Sequence, residues 1–300
     1  MQKNWNILES NNAVVSKLSK ALNVSEIVAH LLVLRGITTF EEAKSFFRPE
    51  ISHLHDPFLM KNMQKAVDRI QTVISNGEKV LVYGDYDVDG TTSVAMMYSF
   101  LKKKVKEIEY YIPCRYDEGY GISLKGIDYA KDNNFALIIA LDCGIRAVNQ
   151  VDYANKKGVD FIICDHHNPG EKVPEAVAIL NPKQIDCDYP YKELSGCGVG
   201  FKLIQAFSKQ NNIDFSEIME YLDLLTVSIG ADIVPMTGEN RVFSFYGLQQ
   251  INKTPRVGLK ALMEIANKTK DVTITDVVFG VAPRINAAGR IEHAKKAVEI

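Results

Sequence analysis

The sequence of 300 residues lacks several features that would place it in a class at once. No apolar run approaches the roughly 18 residues that a membrane span requires, and the start, MQKNWNILES, has no basic-then-apolar signal pattern. The five cysteines form no C-x-x-C pair and are odd in number, which favours reduced thiols in a cytoplasmic protein. The formal net charge of −2 lacks the basic excess that indicates a nucleic-acid partner.

The composition that is present is typical of a globular protein. Hydrophobic residues make up 46% and charged residues 24% of the chain, which argues against a disordered protein. At roughly 150 residues per domain, the length suggests two domains and a sizeable core. Composition alone therefore indicates an enzyme-sized protein and leaves the substrate open.

Apolar strands alternate with helices in the middle of the chain. Helical patterns cover 13–22, 25–34, 40–47 and 63–74, and strands are predicted at 80–83, 108–112, 136–141, 159–164 and 176–180. Helices at 92–103, 123–132 and 147–157 separate these strands, and the pattern after residue 196 is mainly helical, at 199–210, 215–227, 241–251 and 256–267. Strands that are apolar throughout predict an α/β fold with a mainly parallel sheet covered by helices on both faces.

Acids and histidines gather directly after the predicted strands and after one apolar helix. They are Asp85, Asp87 and Asp89, then Asp142, then Asp165, His166 and His167, and finally Asp232. Ligands of open parallel sheets bind just beyond the carboxyl ends of the strands. Clustered carboxylates repel one another unless a cation stabilises them, and carboxylate with imidazole favours Mn²⁺ or Mg²⁺ over an all-sulfur zinc site.

Three other interpretations of these clusters are weaker. The D-x-D-x-D-G run from Asp85 matches the start of an EF-hand calcium loop, but Met96 stands where that loop needs a bidentate glutamate. Turns are rich in Asp and Gly, yet turns do not explain four acid-bearing element ends in one chain. Cys143 and Cys164 lie beside acids, but adjacent side chains of extended backbone point to opposite faces, so both are interpreted as small buried hydrophobic residues.

These motifs resemble the DHH phosphoesterase superfamily and, within it, the RecJ-type single-stranded-DNA exonucleases. The resemblance covers essentially the whole chain. It rests on VYGDYDVDGTTS (82–93), ALDCG (140–144), CDHH (164–167) and GADIVPM (230–236), together with IPCRYDEGYG (112–121), SGCGVGFKL (195–203) and APRINAAGRI (282–291).

The resemblance implies a role for each matching residue. Asp142 would bridge two metal ions, Asp87 would bind one of them, and Asp89, His166 and Asp232 would bind the other. Some relatives carry a metal-binding His where Tyr83 stands, so Asp85 is expected to replace it. Asp165 would orient an imidazole, and His167 would lie near the substrate phosphate.

Four further residues are candidate substrate contacts. Arg115, in the loop after strand 108–112, is expected to grip the 5′ phosphate, against the alternative of a surface salt bridge to a neighbouring acid. Arg284, Asn286 and Arg290 would contact the phosphate backbone, or would instead cap helices and tie the catalytic domain to the adjoining C-terminal part of the protein.

The function implied by the resemblance is 5′→3′ exonucleolysis of single-stranded DNA in repair and recombination, with release of 5′-mononucleotides. Two divalent cations, Mn²⁺ in preference to Mg²⁺, would serve as cofactors. Single-stranded DNA with a 5′ end would be the partner, with a single-strand-binding protein or helicase as a further one, and the chain would act as a monomer away from membranes. The alternatives are a DHH phosphodiesterase of short oligoribonucleotides or cyclic dinucleotides, and a non-catalytic DNA-binding or replication scaffold, which would tend to lose the metal acids.

The resemblance also implies a division of the chain. We expect a helical N-terminal extension (1–78), a DHH catalytic α/β domain (79–240) and a helical connector (241–300) toward a DHH-associated second domain. That second domain is missing from the sequence, so we expect a catalytic core cut from a longer protein.

Overall fold

A computed structural model describes residue 6 and residues 8–268, 270–291 and 294–299. The chain divides into two compact units, Met1–Leu54 and His55–Ile300. No helix in the described part of the chain is both long enough and apolar enough to cross a lipid bilayer.

The first unit consists of short helices whose ends are set by local side chains. They are α1 (Asn12–Leu22), α2 (Glu26–Val33) and α3 (Phe40–Phe47), followed by a 3-10 turn at Ile51–His53. Ser25 caps α2, and Thr39 with Glu42 forms a capping box on α3. Buried Leu18 and Leu32 belong to the unit's small core, and the three predicted helices are confirmed.

The second unit is built on five parallel strands in the order β2-β1-β3-β4-β5. The strands are β1 (Lys79–Gly84), β2 (Ile108–Tyr111), β3 (Phe135–Leu141), β4 (Asp160–Cys164) and β5 (Ala178–Leu180). Their side chains are almost all buried in the three central strands, which confirms the predicted α/β fold with a parallel sheet. The chain leaves β1 toward β2 on one side and returns to β3 on the other. The crevice between β1 and β3 is therefore the switch point where ligands of such sheets bind.

Helices surround the sheet and continue beyond it. They are α4 (Met63–Asn76), α5 (Val88–Leu101), α6 (Leu124–Asp132), α7 (Val148–Lys156), α8 (Gly196–Gln210), α9 (Phe215–Ile218), α10 (Leu222–Ala231), α11 (Gly238–Lys253), α12 (Val257–Ile265), α13 (Ile274–Asp276), α14 (Ala282–Ile291) and α15 (Lys295–Glu299). Shorter 3-10 segments lie at Pro57–Leu59 and Met219–Tyr221, and a π-helical segment covers Val277–Val281.

Four predicted helices have boundaries that are wrong by three residues or more. α11 begins at Gly238 and not at residue 241. α5 begins at Val88 and not at residue 92, because the Asp87 carboxylate accepts the Gly90 N–H and caps the helix within the acidic loop. α8 begins at Gly196 and not at residue 199, because Ser195 caps it. The single helix predicted over 215–227 is interrupted by the 3-10 segment, and α10 continues to Ala231.

Candidate metal centre

The carboxyl ends of β1, β3 and β4 bring three acid-bearing loops to one edge of the sheet. Asp142 follows β3 directly and Asp165 follows β4, while the loop after β1 continues into α5. Asp232 joins them from the C-terminal end of α10, where it is the C-cap residue. Four segments that are distant in sequence therefore meet at the switch point.

His166 lies at the centre of this meeting. Its Nε2 atom is 3.2 Å from Asp142 Oδ1, 3.6 Å from Asp232 Oδ2 and 3.8 Å from Asp89 Oδ2. The ligand atoms of Asp89, His166 and Asp232 all lie within 4.8 Å of one another, as do those of Asp142, His166 and His167. The first of these groups has the composition expected for one metal ion.

Asp89 is held by the N-terminus of α8. Its carboxylate accepts the N–H of Gly196 at 2.7 Å and of Cys197 at 2.8 Å, and Ser228 donates its hydroxyl at 2.7 Å. A helix N-terminus favours negative charge, so α8 binds a carboxylate of its own chain. The sequence alone did not reveal that this helix end binds Asp89, and it gave no signal for Ser228.

Asp142 has an unusual backbone and an unsatisfied side chain. Its φ is +60°, in the left-handed region, and its N–H donates to Cys164 O at 2.8 Å. A Cβ built on Gly196 would lie 2.5 Å from the Asp142 Cβ, so only glycine fits beside it. Burial, together with the charges of Asp89 and Asp87, raises the pKa of Asp142 well above its ordinary value.

Several buried polar atoms at this edge of the sheet lack hydrogen-bond partners, and their chemistry fits a cation. Oδ1 of Asp142 and both ring nitrogens of His166 are buried and have no hydrogen-bond partner. Buried polar atoms are rarely left without partners. Burial also lowers the pKa of His166, which favours the neutral imidazole with a free lone pair. A carboxylate oxygen and an imidazole nitrogen this close, both lacking donors, are a donor set that fits a divalent cation.

Asp165 orients its neighbours through hydrogen bonds. It accepts hydrogen bonds from His167 Nδ1 at 2.7 Å, from two backbone N–H groups of its own loop, and from Ile145 N at 2.8 Å. It therefore orients the ring of His167 and not that of His166. Burial would raise the pKa of Asp165, but the bond from His167 holds it below its ordinary value, and that bond raises the pKa of His167.

Asp85 and Asp87 lie in the loop after β1 but join neither ligand group. Burial is the main cause that raises the pKa of Asp87, and it raises the pKa of Asp85 to about 7. Tyr83 donates its hydroxyl to Gly121 O and accepts the Ser123 N–H, so it anchors the neighbouring loop. The roles of Asp85 and Asp87 stay predictions.

The predicted substrate residues lie on two segments. The Arg115 guanidinium lies over the Tyr86 ring at 5.1 Å, in the acidic loop. The backbone of Arg290 accepts a hydrogen bond from Tyr116, and α14 approaches so closely that a Cβ on Gly289 would lie 2.9 Å from Tyr86 O.

The other two candidates of α14 differ from each other. Arg284 donates to Gly280 O at 2.6 Å and to Ile265 O, at the end of α12, at 3.5 Å, which are contacts of the kind expected from the alternative in which it caps helices. Asn286 is half-buried. Their contacts with substrate stay predictions.

Both cysteines beside the acids are buried in the core. Cys143 is 2% exposed and Cys164 is fully buried. Neither belongs to the ligand groups found among the described residues. All five cysteines are free thiols.

Comparisons with known proteins bear on the sequence and on the fold. Residues 79–229 match the family described as the DHH family, N-terminal domain. The single-stranded-DNA-specific exonuclease RecJ of Bacillus subtilis (strain 168) is 41% identical over 298 residues, which is 99% of this chain and 37% of that protein. RecJ of Escherichia coli (strain K12) is 35% identical over 245 residues, covering 78% of this chain and 42% of its own length.

Two solved structures resemble most of the chain. The crystal structure of exonuclease RecJ bound to manganese has a TM-score of 0.74 at 31% identity, over 83% of this chain and 62% of that one. RecJ from Thermus thermophilus in complex with Mn²⁺ has a TM-score of 0.80 at 28% identity, over 96% of this chain and 40% of that one. The chain thus spans 37% and 42% of the length of the two curated relatives.

Proposed function

Because the chain belongs to the DHH family, we propose that it is a metal-dependent phosphodiesterase that degrades single-stranded DNA from the 5′ end and releases 5′-mononucleotides. The single observation that carries the proposal is the meeting of Asp89, Asp142, His166 and Asp232 at the switch point, with buried ligand atoms left without partners. The named activity of the RecJ relatives supports the choice of substrate and the place in DNA repair and recombination.

Two divalent cations, Mn²⁺ in preference to Mg²⁺, are the proposed cofactors. Asp89, His166 and Asp232 would hold one, Asp87 with Asp85 the other, and Asp142 would lie between them. Such a pair of cations supplies Lewis acidity, which activates water and offsets the charge that builds on the phosphoryl oxygens. The RecJ structures solved with Mn²⁺ support this assignment.

His167 is the proposed proton donor of the reaction. It is partly exposed at the edge of the cluster, and Asp165 fixes its ring and raises its pKa, which favours the imidazolium. An imidazolium placed beside a phosphodiester binds a phosphoryl oxygen and can protonate the departing 3′ oxygen. Its Nε2 atom, 3.4 Å from the Tyr120 hydroxyl, faces away from Asp165 and is the atom that would carry this proton.

Arg115 and Arg290 are the proposed phosphate contacts. Both residues are exposed, and the charge of each partly opposes the rise that burial causes in the pKa of Tyr86, so both arginines lie near the acidic loop. Phosphates of a strand that reaches the cluster would pass these cations. Arg284 and Asn286 are kept as weaker candidates on the same helix.

Further parts of the proposal rest on the sequence alone. They are the division at residues 78 and 240, the monomeric state, the cytoplasmic location, and a single-strand-binding protein or helicase as partner.

The proposal is tested with single-stranded DNA labelled at either end, with and without Mn²⁺. We expect a 5′ label to appear at once in mononucleotides and a 3′ label to appear in them only at the end, and both only when Mn²⁺ is present. Preference for dinucleotides or cyclic dinucleotides over long DNA would overturn the choice of substrate. Binding of DNA without hydrolysis of any phosphodiester would favour a scaffold.

A further inference from the structure

The left-handed positions of the backbone follow a rule with one exception. Eight non-glycine residues in the described ranges have a positive φ, and seven of them are Asn or Asp: Asn23, Asn62, Asn134, Asp142, Asn212, Asn267 and Asp271. Asn and Asp tolerate this conformation because their short side chains bond locally. The eighth is Ile233, with φ +58°.

Isoleucine is among the least suitable residues for this position. Its branched Cβ crowds the backbone in the left-handed region, where helices normally end on Gly or Asn. Ile233 immediately follows Asp232, the C-cap residue of α10, so it occupies the position where a left-handed Gly or Asn is usual. α1 ends on Asn23 and α4 on Gly77, both left-handed, as expected.

Packing within the chain does not compensate for this strain. The Ile233 side chain is 82% exposed. A strained residue persists when its surroundings impose the conformation, and it is favoured over Gly or Asn only if the side chain has a use. The chain itself makes little use of an isoleucine that faces solvent.

Hydrogen bonds hold the loop on both sides of Ile233. On one side the N–H of Asp232 donates to Ser228 O at 2.9 Å within α10. On the other side Pro235 O accepts hydrogen bonds from Tyr191 at 3.2 Å and from buried Asn240 at 3.1 Å. The loop is thus fixed at both ends, and it presents Ile233 next to the carboxylate that lies 3.6 Å from His166.

We propose that Ile233 is a specificity-determining residue whose apolar side chain packs against the sugar and base of the nucleotide bound at the cluster. The inference rests on the proposed function. Because Ile233 directly follows Asp232 and is exposed, the ligand of the cluster is the nearest candidate to cover its side chain. A nucleoside offers the apolar face that isoleucine can contact, whereas a phosphate or a cation does not.

Substitution at Ile233 should separate binding from folding. Ile233→Gly and Ile233→Asn remove the strain, so we expect the Tm of the chain to rise by about 2 °C. We expect KM for 5′-phosphorylated single-stranded DNA to rise by about tenfold, because a hydrophobic contact is lost. Mn²⁺ affinity, measured by calorimetry, should not change, since Asp232 keeps its place.

Asn212 offers a matched control. It is exposed, has φ +54° and lies after the end of α8, away from the cluster. Asn212→Ile places isoleucine in the same conformation, and we expect a lower Tm with unchanged KM. That result would show that an isoleucine in the left-handed conformation lowers stability, and that it does not affect substrate binding when it lies away from the cluster.

The outcomes distinguish the inference from the function on which it rests. A wild-type chain that hydrolyses neither single-stranded DNA nor dinucleotides in Mn²⁺ overturns the proposed function and the inference with it. A wild-type chain that is active, with KM unchanged in both Ile233 variants, overturns the inference alone. A fall in Tm for both variants would also overturn it, because the isoleucine would then stabilise the chain itself.

Discussion

Two sides of the cluster satisfy their polar atoms in opposite ways. On the Asp89 side, formed by Asp89, Gly196, Cys197 and Ser228, backbone N–H groups and a hydroxyl bind both carboxylate oxygens. On the Asp142 side, formed by Asp142 and His166, a buried oxygen and two ring nitrogens have no donor or acceptor. Both sides are almost completely buried.

The difference indicates which side the protein organises by itself. Fixed dipoles orient Asp89 before any cation arrives, and they offset the cost of burying its charge. At Asp142 the cost of burial is not offset, so the metal-free chain holds that carboxyl group with a raised pKa. We therefore expect the Asp142 side to need the cation to stabilise its buried charge. We expect the Asp89 side, which is already oriented, to direct the cation to its site.

The largest expected effect comes from a substitution on the Asp142 side. Asp142→Asn should reduce Mn²⁺-dependent hydrolysis by about a thousandfold or more, because it removes the charge at the centre of the cluster. The Tm of the metal-free chain should not fall, because a repelled buried charge is lost with little change in shape. Kinetics and thermal unfolding with chelator measure the two effects.

Asp117→Asn, in the exposed loop after β2, is the control for the loss of one negative charge. It should leave both quantities unchanged. A clear drop in the metal-free Tm of Asp142→Asn would mean that this carboxylate stabilises the fold without a cation, and the contrast between the two sides would fail.

A smaller effect is expected from a substitution on the Asp89 side. Ser228→Ala removes one of the three close donors to Asp89, so Mn²⁺ affinity should fall by about tenfold while the N–H groups of α8 keep the carboxylate near its place. Calorimetric titration with Mn²⁺ measures the change, and Ser216→Ala on α9 is the exposed control. An unchanged affinity would show that the backbone donors alone orient Asp89.

An effect of similar size is the response of Mn²⁺ affinity to pH. Burial, together with the charges of Asp89 and Asp87, raises the pKa of Asp232 to about 7, and burial raises that of Asp85 to the same value. Cations bind the deprotonated carboxylate, so affinity should increase from pH 6 to pH 8 and level off above it. Calorimetry in buffers of different ionisation enthalpy should detect proton release below pH 7. Constant affinity over this range would contradict the raised pKa values.

Local patterns in the sequence were enough to predict the sheet and its acids. The buried strands are apolar without interruption, and Asp142 and Asp165 follow β3 and β4 directly, so their placement needed only the rule for parallel sheets. The donors to Asp89 were beyond such reasoning, because Gly196 and Ser228 lie more than a hundred residues away in sequence. The left-handed conformation of Ile233 was also hidden, since isoleucine gives no local signal for it.

The closeness of Gly196 to Asp142 has a consequence for how the two sides vary. An added methyl group at Gly196 would overlap the Asp142 side chain at 2.5 Å, and relief of that overlap would move the start of α8, which carries the N–H groups that hold Asp89. One substitution would therefore disturb both sides together. The positions of the two carboxylates are thus coupled through Gly196, where the packing leaves no room for an added carbon atom.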